Sequence, residues 1–149
     1  MGVGAVGSAA DIAPGGATRT LARRTGWVLT GIAVMFLAWD MAMKLFLIPQ
    51  AVDGTAQLGY PVSVIRPLGL VQLGCLILYL IPRTAPLGAV LWTGYLGGAV
   101  ATHVRLENPL FSHVLFPTYV AALLWGGLWL RDARVHRLLQ PEPVRSTHV

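Results

Sequence analysis

The sequence contains few charged residues, and this shortage excludes a soluble protein. Only 11% of its 149 residues are charged, whereas 55% are hydrophobic and the mean hydropathy is +0.65. A soluble globular domain carries about 25% charged residues, because water must solvate its surface. So few charges cannot cover a soluble surface of this size. The composition therefore indicates an integral membrane protein in contact with a lipid bilayer.

Cysteine and paired catalytic side chains are also scarce. Cys75 is the single cysteine, which excludes an intramolecular disulfide and a CxxC pair, and we expect it to be a small buried packing residue. The sequence has no nucleophile–base motif and no Glu-x-x-His motif for a di-iron site. Only His103 and His113 lie near an apolar run, both at one end of the predicted bundle, which disfavours a bis-histidine haem. We therefore expect no metal site and no autonomous enzyme.

Four apolar runs make up most of the chain. Each is close to the roughly 20 residues that cross a bilayer core, and each is continuously apolar rather than alternating, which predicts helices rather than strands. Turn signals join them: a loop marked by Pro49, Asp53-Gly54 and Tyr60-Pro61, then "PRTAP" (82–86) and "LENP" (106–109). Short connections place neighbouring helices antiparallel, so we predict an all-α fold, an integral membrane up-down four-helix bundle. The predicted helices cover about residues 26–48, 63–81, 86–104 and 110–131.

The two ends of the chain differ in composition from this apolar part. Residues 1–24 are rich in glycine and alanine, and we expect a disordered cytoplasmic tail there. The apolar run that follows is too long for a typical signal peptide and has no small-x-small cleavage site, so it predicts an uncleaved first span. The four-span membrane domain is expected over residues 25–131, and a basic cytoplasmic tail over 132–149.

The distribution of basic residues predicts the orientation of the bundle. The net charge is +5, but the basic residues flank apolar runs, so they indicate membrane topology and anionic lipid rather than nucleic acid. With the N-terminus in the cytoplasm, only Arg66 and Arg105 are outside, and Lys44 is buried near that end. We therefore predict a multi-pass protein of the cell inner (plasma) membrane with both termini cytoplasmic. The basic residues on the cytoplasmic side are then Arg19, Arg23, Arg24, Arg83, Arg131, Arg134, Arg137 and Arg145.

Polar side chains from all four predicted helices lie at the outer end. A charge in the bilayer costs several kcal/mol unless it is paired, so such groups face the bundle interior or a wet cavity. Two pairs have the i,i+4 spacing of neighbours on a helix: Asp40 with Lys44, and His103 with Glu107. We predict a shared ligand-binding polar cluster; the alternative is that its members snorkel and pair to hold the helix ends. The cluster comprises Asp40, Lys44, Arg66, Gln72, His103, Arg105, Glu107 and His113.

Two further features of the last two helices predict packing rather than chemistry. Gly94, Gly98 and Thr102 form a small-xxx-small stripe, which is typical of a face that packs on another helix. Pro117 is expected inside the fourth helix, where it cannot donate to the His113 carbonyl and would produce a kink. Such a kink could aim His113 inward, but proline is common in membrane helices and favours the packing interpretation.

The segment "LYLIPRTAPLGAVLWTGYLGGAVATHVRLENP" (78–109) resembles the DoxX-like family of small four-helix membrane proteins. The preceding "RPLGLVQL" (66–73) is similar to the Arg-x-Leu-Gly segment of that family, although a carboxylate is expected more often at the position of Gln72. The resemblance covers about residues 26–131. It implies the fold and the membrane location. Members of the family that this chain resembles include a subunit of a thiosulfate:quinone oxidoreductase and proteins linked to membrane oxidoreductase or oxidative-stress complexes. More distant four-helix relatives act as assembly factors for other membrane proteins.

Two hypotheses for function follow from the residues and the resemblance. The first is an accessory subunit of a quinone-linked membrane redox complex, in which Arg66, Arg105 and His103 bind a quinone headgroup or a small anion while Asp40 and Lys44 handle charge. The second is a non-catalytic scaffold or assembly partner that docks another membrane or redox protein. A transporter is less consistent with the sequence, because broken-helix pairs are absent.

Overall fold

The computed structural model describes residues 15–135, and all regular secondary structure in that range is helical. This confirms the predicted all-α class. A 3₁₀ turn at Val62–Val64 precedes α3, and a π-helical turn at Leu110–Val114 precedes α5. The helices are α1 (Gly15–Leu45), α2 (Pro49–Gln57), α3 (Ile65–Leu80), α4 (Ala85–Arg105) and α5 (Phe116–Arg131).

Helix α1 begins earlier than the sequence predicted. It contains 31 residues, which is about 46 Å at 1.5 Å per residue, whereas a bilayer core is about 30 Å thick. Residues 15–24 are helical, so the expectation of disorder was wrong for them; residues 1–14 lie outside the described range, as do residues 136–149 of the predicted C-terminal tail. The polar residues of this segment, Arg19, Arg23 and Arg24 among them, extend the apolar span by several turns.

The connection between α1 and α3 is a short helix rather than the predicted loop. The chain leaves α1 through Leu47, whose φ of 52° is in the left-handed region, and Ile48 is extended before Pro49. Proline at the first position of a helix lacks only an N–H that would have no helical partner, so it starts α2 instead of preventing it. Ala51 and Thr55, one turn apart, are the buried residues of α2.

Both predicted hairpin turns are present. Between α3 and α4, Thr84 Oγ1 donates a hydrogen bond to the Leu78 carbonyl over 2.8 Å. Between α4 and α5, Glu107 has a φ of 53° and ends the helical path. Pro117 lies in the first turn of α5 and not in mid-helix, so the predicted kink is wrong. The interruption is instead the π-helical turn that precedes α5.

The four long helices pack so that α1 contacts α3 and α5, and α4 contacts the same two helices. Close approaches occur at glycines: a Cβ on Gly88 would overlap the backbone of Tyr79, and a Cβ on Gly26 would lie 2.8 Å from Leu130. Tyr79 and Trp92 are fully buried in the core, and Tyr79 donates from its hydroxyl to the Leu124 carbonyl over 2.8 Å. Cys75 is buried, as expected.

The protein is a membrane protein. Three segments of the described range are long and apolar enough to cross a bilayer: Thr18–Leu45, Val62–Leu80 and Leu110–Arg131. Helix α4 is 21 residues long, but it contains four glycines, which lower its mean hydropathy, and it is not among the three. Large apolar side chains such as Met35 and Trp39 project outward from α1, as side chains that face acyl chains do.

Candidate functional site

A cavity of about 440 Å³ lies between α1, α3, α4 and α5 and is covered by α2 and the residues that follow it. Most of its wall is apolar, from Leu37, Leu96 and Val120 among others. Polar side chains are gathered where the C-terminal half of α1 meets α2 and the end of α4. The polar residues are Asp40, Lys44, Thr55, Tyr60, Gln72, Thr102 and His103.

Asp40 is the centre of the polar end. Lys44 Nζ donates to Asp40 Oδ2 over 2.5 Å within α1, and Gln72 Nε2 of α3 donates to the same oxygen over 2.6 Å. The lysine bond is the i,i+4 pair that the sequence predicted. The glutamine bond crosses between two helices and neutralises no charge, but it satisfies the carboxylate further. Polar groups of the protein therefore stabilise the Asp40 carboxylate, which does not have to face the acyl chains.

A second polar contact joins the segment after α2 to α4. Thr102 Oγ1 donates to the Gly98 carbonyl over 2.9 Å, and the Tyr60 hydroxyl lies 2.8 Å from the same Thr102 oxygen. Because the single hydroxyl proton of Thr102 is used within its helix, Tyr60 is the donor of the second bond. Tyr60 thereby holds the cover of the cavity against α4.

His103 and His113 lie side by side at the polar end of the cavity. Their ring centroids are 5.8 Å apart in an edge-to-face arrangement. Nδ1 of His103 lies 2.9 Å from the Asn108 amide nitrogen, which is a donor, so the proton of a neutral His103 ring is on Nε2. His113 is exposed and pairs with Ser112. It lines a second cavity of about 590 Å³ that adjoins the first, since the two share Asp40, Lys44, Thr55, Leu58 and His103.

Three residues of the predicted cluster line neither cavity. Arg66 is exposed in the first turn of α3. Arg105 donates to the Leu58 carbonyl over 3.1 Å and so ties α4 to the segment after α2. Glu107 lies beyond the last residue of α4, so its i,i+4 spacing to His103 does not make them neighbours, and Asn108 takes that place. The predicted inward orientation is therefore wrong for Arg66, and the positions of Arg105 and Glu107 agree with the alternative of residues that hold the helix ends.

The glycine stripe has a different role from the predicted one. Gly94 and Gly98 line the cavity, and a Cβ built on either would find no atom within 4 Å. They do not pack on another helix; they leave room in the wall. Sequence reasoning also missed Tyr60 and Tyr95 as cavity residues. In the sequence Tyr60 is part of a turn signal, and a single tyrosine in an apolar run, such as Tyr95, carries no signal of what it faces.

The opposite end of the bundle is held by arginines. The Arg131 guanidinium lies 4.6 Å from the centroid of the Trp27 ring and 5.1 Å from that of Tyr79. Arg134 Nη2 donates to the Pro82 carbonyl over 2.6 Å and to Asp132 Oδ2 over 2.8 Å, so the residues after α5 are fastened to the α3–α4 turn. Hydrogen bonds from Arg134 hold the pKa of Asp132 below its usual value.

Within residues 15–135 no group of three or more histidine, cysteine, aspartate or glutamate side chains is placed to hold a metal ion. The polar end of the cavity offers one carboxylate, one ammonium, one amide, one imidazole and hydroxyls. This set can bind a polar headgroup by hydrogen bonds and charge.

Comparison with known proteins supplies the family. The model of the DoxX-like family matches residues 28–127, which is more than half of the chain and includes most of the residues that line the cavity. No curated protein and no solved structure matches the chain. The match spans the helices that build the site, and the chain therefore belongs to the DoxX-like family.

Proposed function

We propose that this protein binds a small amphipathic molecule in the cavity between its long helices. The observation that carries the proposal is the polarity of that cavity: its wall is apolar except at one end, where Asp40, Lys44 and His103 converge. Apolar pockets with a few convergent polar groups are the usual form of small-molecule sites. The apolar part of the ligand would lie along Leu37 and Val120, with its headgroup at the charged end.

A quinone is the ligand we propose to test first, with the protein acting as an accessory subunit of a quinone-linked membrane redox complex. Quinone oxygens accept hydrogen bonds, and the donors that line the cavity include the ammonium of Lys44, the Nε2–H of a neutral His103 and the hydroxyl of Tyr95. Arg66 and Arg105 have no part in this version, because neither lines the cavity.

The test is equilibrium binding of a short-chain benzoquinone to the purified protein in lipid nanodiscs. Binding to the wild type should be saturable and should weaken in His103→Ala by about tenfold, the usual effect of one lost hydrogen bond to a ligand. Arg66→Ala is the matched control and should bind like the wild type. An absence of saturable binding to the wild type would contradict the assignment of a quinone as the ligand.

The proposal also covers how the helices cross the membrane. We propose that α4 is a fourth span, since it packs between α3 and α5 and is as long as a bilayer core requires. The four long helices would then form an up-down bundle in the cell inner membrane, with the Arg131 and Arg134 end in the cytoplasm and both termini on that side.

A scaffold or assembly partner is the second candidate. Its support is the exposure of two aromatic side chains at the cavity end, Phe46 (77% exposed) and Phe111 (74% exposed). Aromatic side chains in such positions contact either the lipid interface or a partner protein. A stoichiometric membrane or redox protein that co-purifies in mild detergent, together with no quinone binding, would favour this candidate.

A further inference from the structure

The side chain of Gln72 is completely buried, yet only one half of its amide is satisfied. It lies in the middle of α3 and lines the cavity. Its Nε2 donates to Asp40 Oδ2, and a carboxylate only accepts hydrogen bonds, so the orientation of the amide is determined by its partner. The carbonyl oxygen Oε1 is therefore the free end, and it has no hydrogen-bond partner among residues 15–135.

A buried carbonyl without a donor costs free energy, and buried polar groups in proteins are almost always paired. Asp40 cannot supply the donor. Lys44 gives one of its three N–H groups to Asp40 and no other hydrogen bond of its ammonium is present in the described residues. Gln72 lines the cavity that the proposed ligand would fill, and its unmatched acceptor is buried within that wall.

The cavity also has a shape suited to a flat group. Gly94 and Gly98, one turn apart on α4, present bare backbone with nothing within 4 Å of a built Cβ. The rings of Phe36, Tyr95 and Phe116 also line the cavity, and Phe36 and Phe116 are 5.2 Å apart edge to face. A planar ring gains contact with bare glycine backbone that a branched aliphatic group cannot approach as closely.

We propose that the natural ligand is a hydroxylated aromatic amphiphile, whose hydroxyl donates to Gln72 Oε1 and whose ring lies on Gly94 and Gly98. The hydroxyl oxygen accepts from Lys44. This inference rests on the proposed ligand-binding function and narrows it to headgroups that donate a hydrogen bond, which among quinone-type ligands means the reduced quinol form, because the oxidised quinone only accepts. Oε1 is closed to solvent, so the hydroxyl reaches it with a small side-chain movement in the wall, of the kind that commonly accompanies binding.

The experiment compares three probes that differ in one feature each: para-heptylphenol, its methyl ether and decanol. Each is titrated against the protein in nanodiscs, with protein-free nanodiscs as the blank for partition into lipid. The wild type should bind the phenol about tenfold more tightly than the ether, because the ether cannot donate to Gln72. Decanol should bind more weakly than the phenol, because it lacks the ring.

Three variants test which residues cause the expected differences in affinity between the probes. Gln72→Met keeps the length of the side chain and removes the acceptor, so it should abolish the preference for the phenol over the ether. Gly98→Leu should weaken both aromatic probes by filling the floor of the cavity. Gly97→Leu is its matched control, since Gly97 also has open space around it but does not line the cavity, and it should bind as the wild type does.

The outcomes separate this inference from the proposed function. Equal binding of phenol and ether to the wild type would overturn the donor requirement while leaving the ligand site in place. Decanol binding as tightly as the phenol would overturn the requirement for a ring. Saturable binding of none of the three, and of no quinone, would overturn the ligand site itself. The comparison of probes on the wild type decides the matter even if Gln72→Met fails to fold.

Discussion

The side-chain amide of Gln72 on α3 donates to Oδ2 of Asp40 on α1 over 2.6 Å. This bond makes Asp40 the meeting point of two helices, because Lys44 donates to the same oxygen from one turn further along α1. The side chains of Lys44 and Asp40 are 13% and 29% exposed, so both charges are largely removed from solvent. The cost of burying each charge is therefore offset mainly by the opposite charge of the other side chain.

Asp40→Ala should destabilise the protein by leaving the Lys44 ammonium without its counter-ion. Breaking a fully buried pair costs about 3–5 kcal/mol, and partial exposure of both groups reduces the expected loss here to roughly 1–3 kcal/mol. The measurement is the unfolding midpoint in detergent by circular dichroism. Asp40→Ala combined with Lys44→Met should recover much of the loss, because both charges are gone. A double variant no more stable than the single one would show that Asp40 has a further structural role.

Gly88→Ala should destabilise the α3–α4 hairpin. The added Cβ would overlap the backbone of Tyr79, and backbone cannot move aside as the tip of a flexible side chain can. Overpacking of this kind costs roughly 1–3 kcal/mol. Gly97→Ala, on the same helix but with no atom within 4 Å of the new Cβ, is the control and should be neutral or stabilising, since alanine favours helix by up to about 1 kcal/mol over glycine. Thermal unfolding of both variants in one detergent makes the comparison; equal effects would rule out the close approach.

The pH dependence of stability should include a contribution from Asp132, which follows the last residue of α5. Its hydrogen bonds with Arg134 lower its pKa in the folded protein. A carboxyl with a lowered folded pKa contributes stability above its unfolded pKa of about 3.9, and loses it as the pH falls through the folded value. The wild type should therefore lose stability in acid more steeply than Asp132→Asn. Unfolding midpoints between about pH 6 and pH 3 check this, and curves that stay parallel throughout would contradict it.

Reporter fusions test the proposed topology. Fusions after Arg24, Pro109 and His148 should report cytoplasm, outside and cytoplasm, because the basic residues are concentrated on the side of the termini. If α4 does not cross the membrane, the fusion after Pro109 should report cytoplasm and the fusion after His148 should report outside. A C-terminus on the outer side would reject the four-span arrangement.

The sequence was sufficient for the class of the fold and for the pair at the centre of the site. Continuous apolar runs have only one regular structure that satisfies their backbone in a membrane, so the long helices followed directly. Asp40 and Lys44 are neighbours along one helix, and i,i+4 spacing is a local property. The family was also recognisable from residues 78–109, and the family model confirmed it.

Local turn signals were less informative, because the same residues serve more than one structure. Pro49 predicts a loop but begins α2, and Pro117 is predicted inside a helix but lies in the first turn of α5. Proline excludes the middle of a helix but suits its first turn, and only the neighbouring packing decides which element it belongs to.

Composition and helical spacing are properties of single segments, so they predict an all-helical membrane protein with ionisable groups toward one end. Which of those groups share a cavity depends on the tertiary packing. It directed Asp40, Gln72 and His103 inward and left Arg66 and Glu107 at the surface. It also turned Gly94 and Gly98 toward open space rather than toward another helix. The rotation of each helix about its axis depends on the packing of all the others, and no single segment of the sequence contains that information.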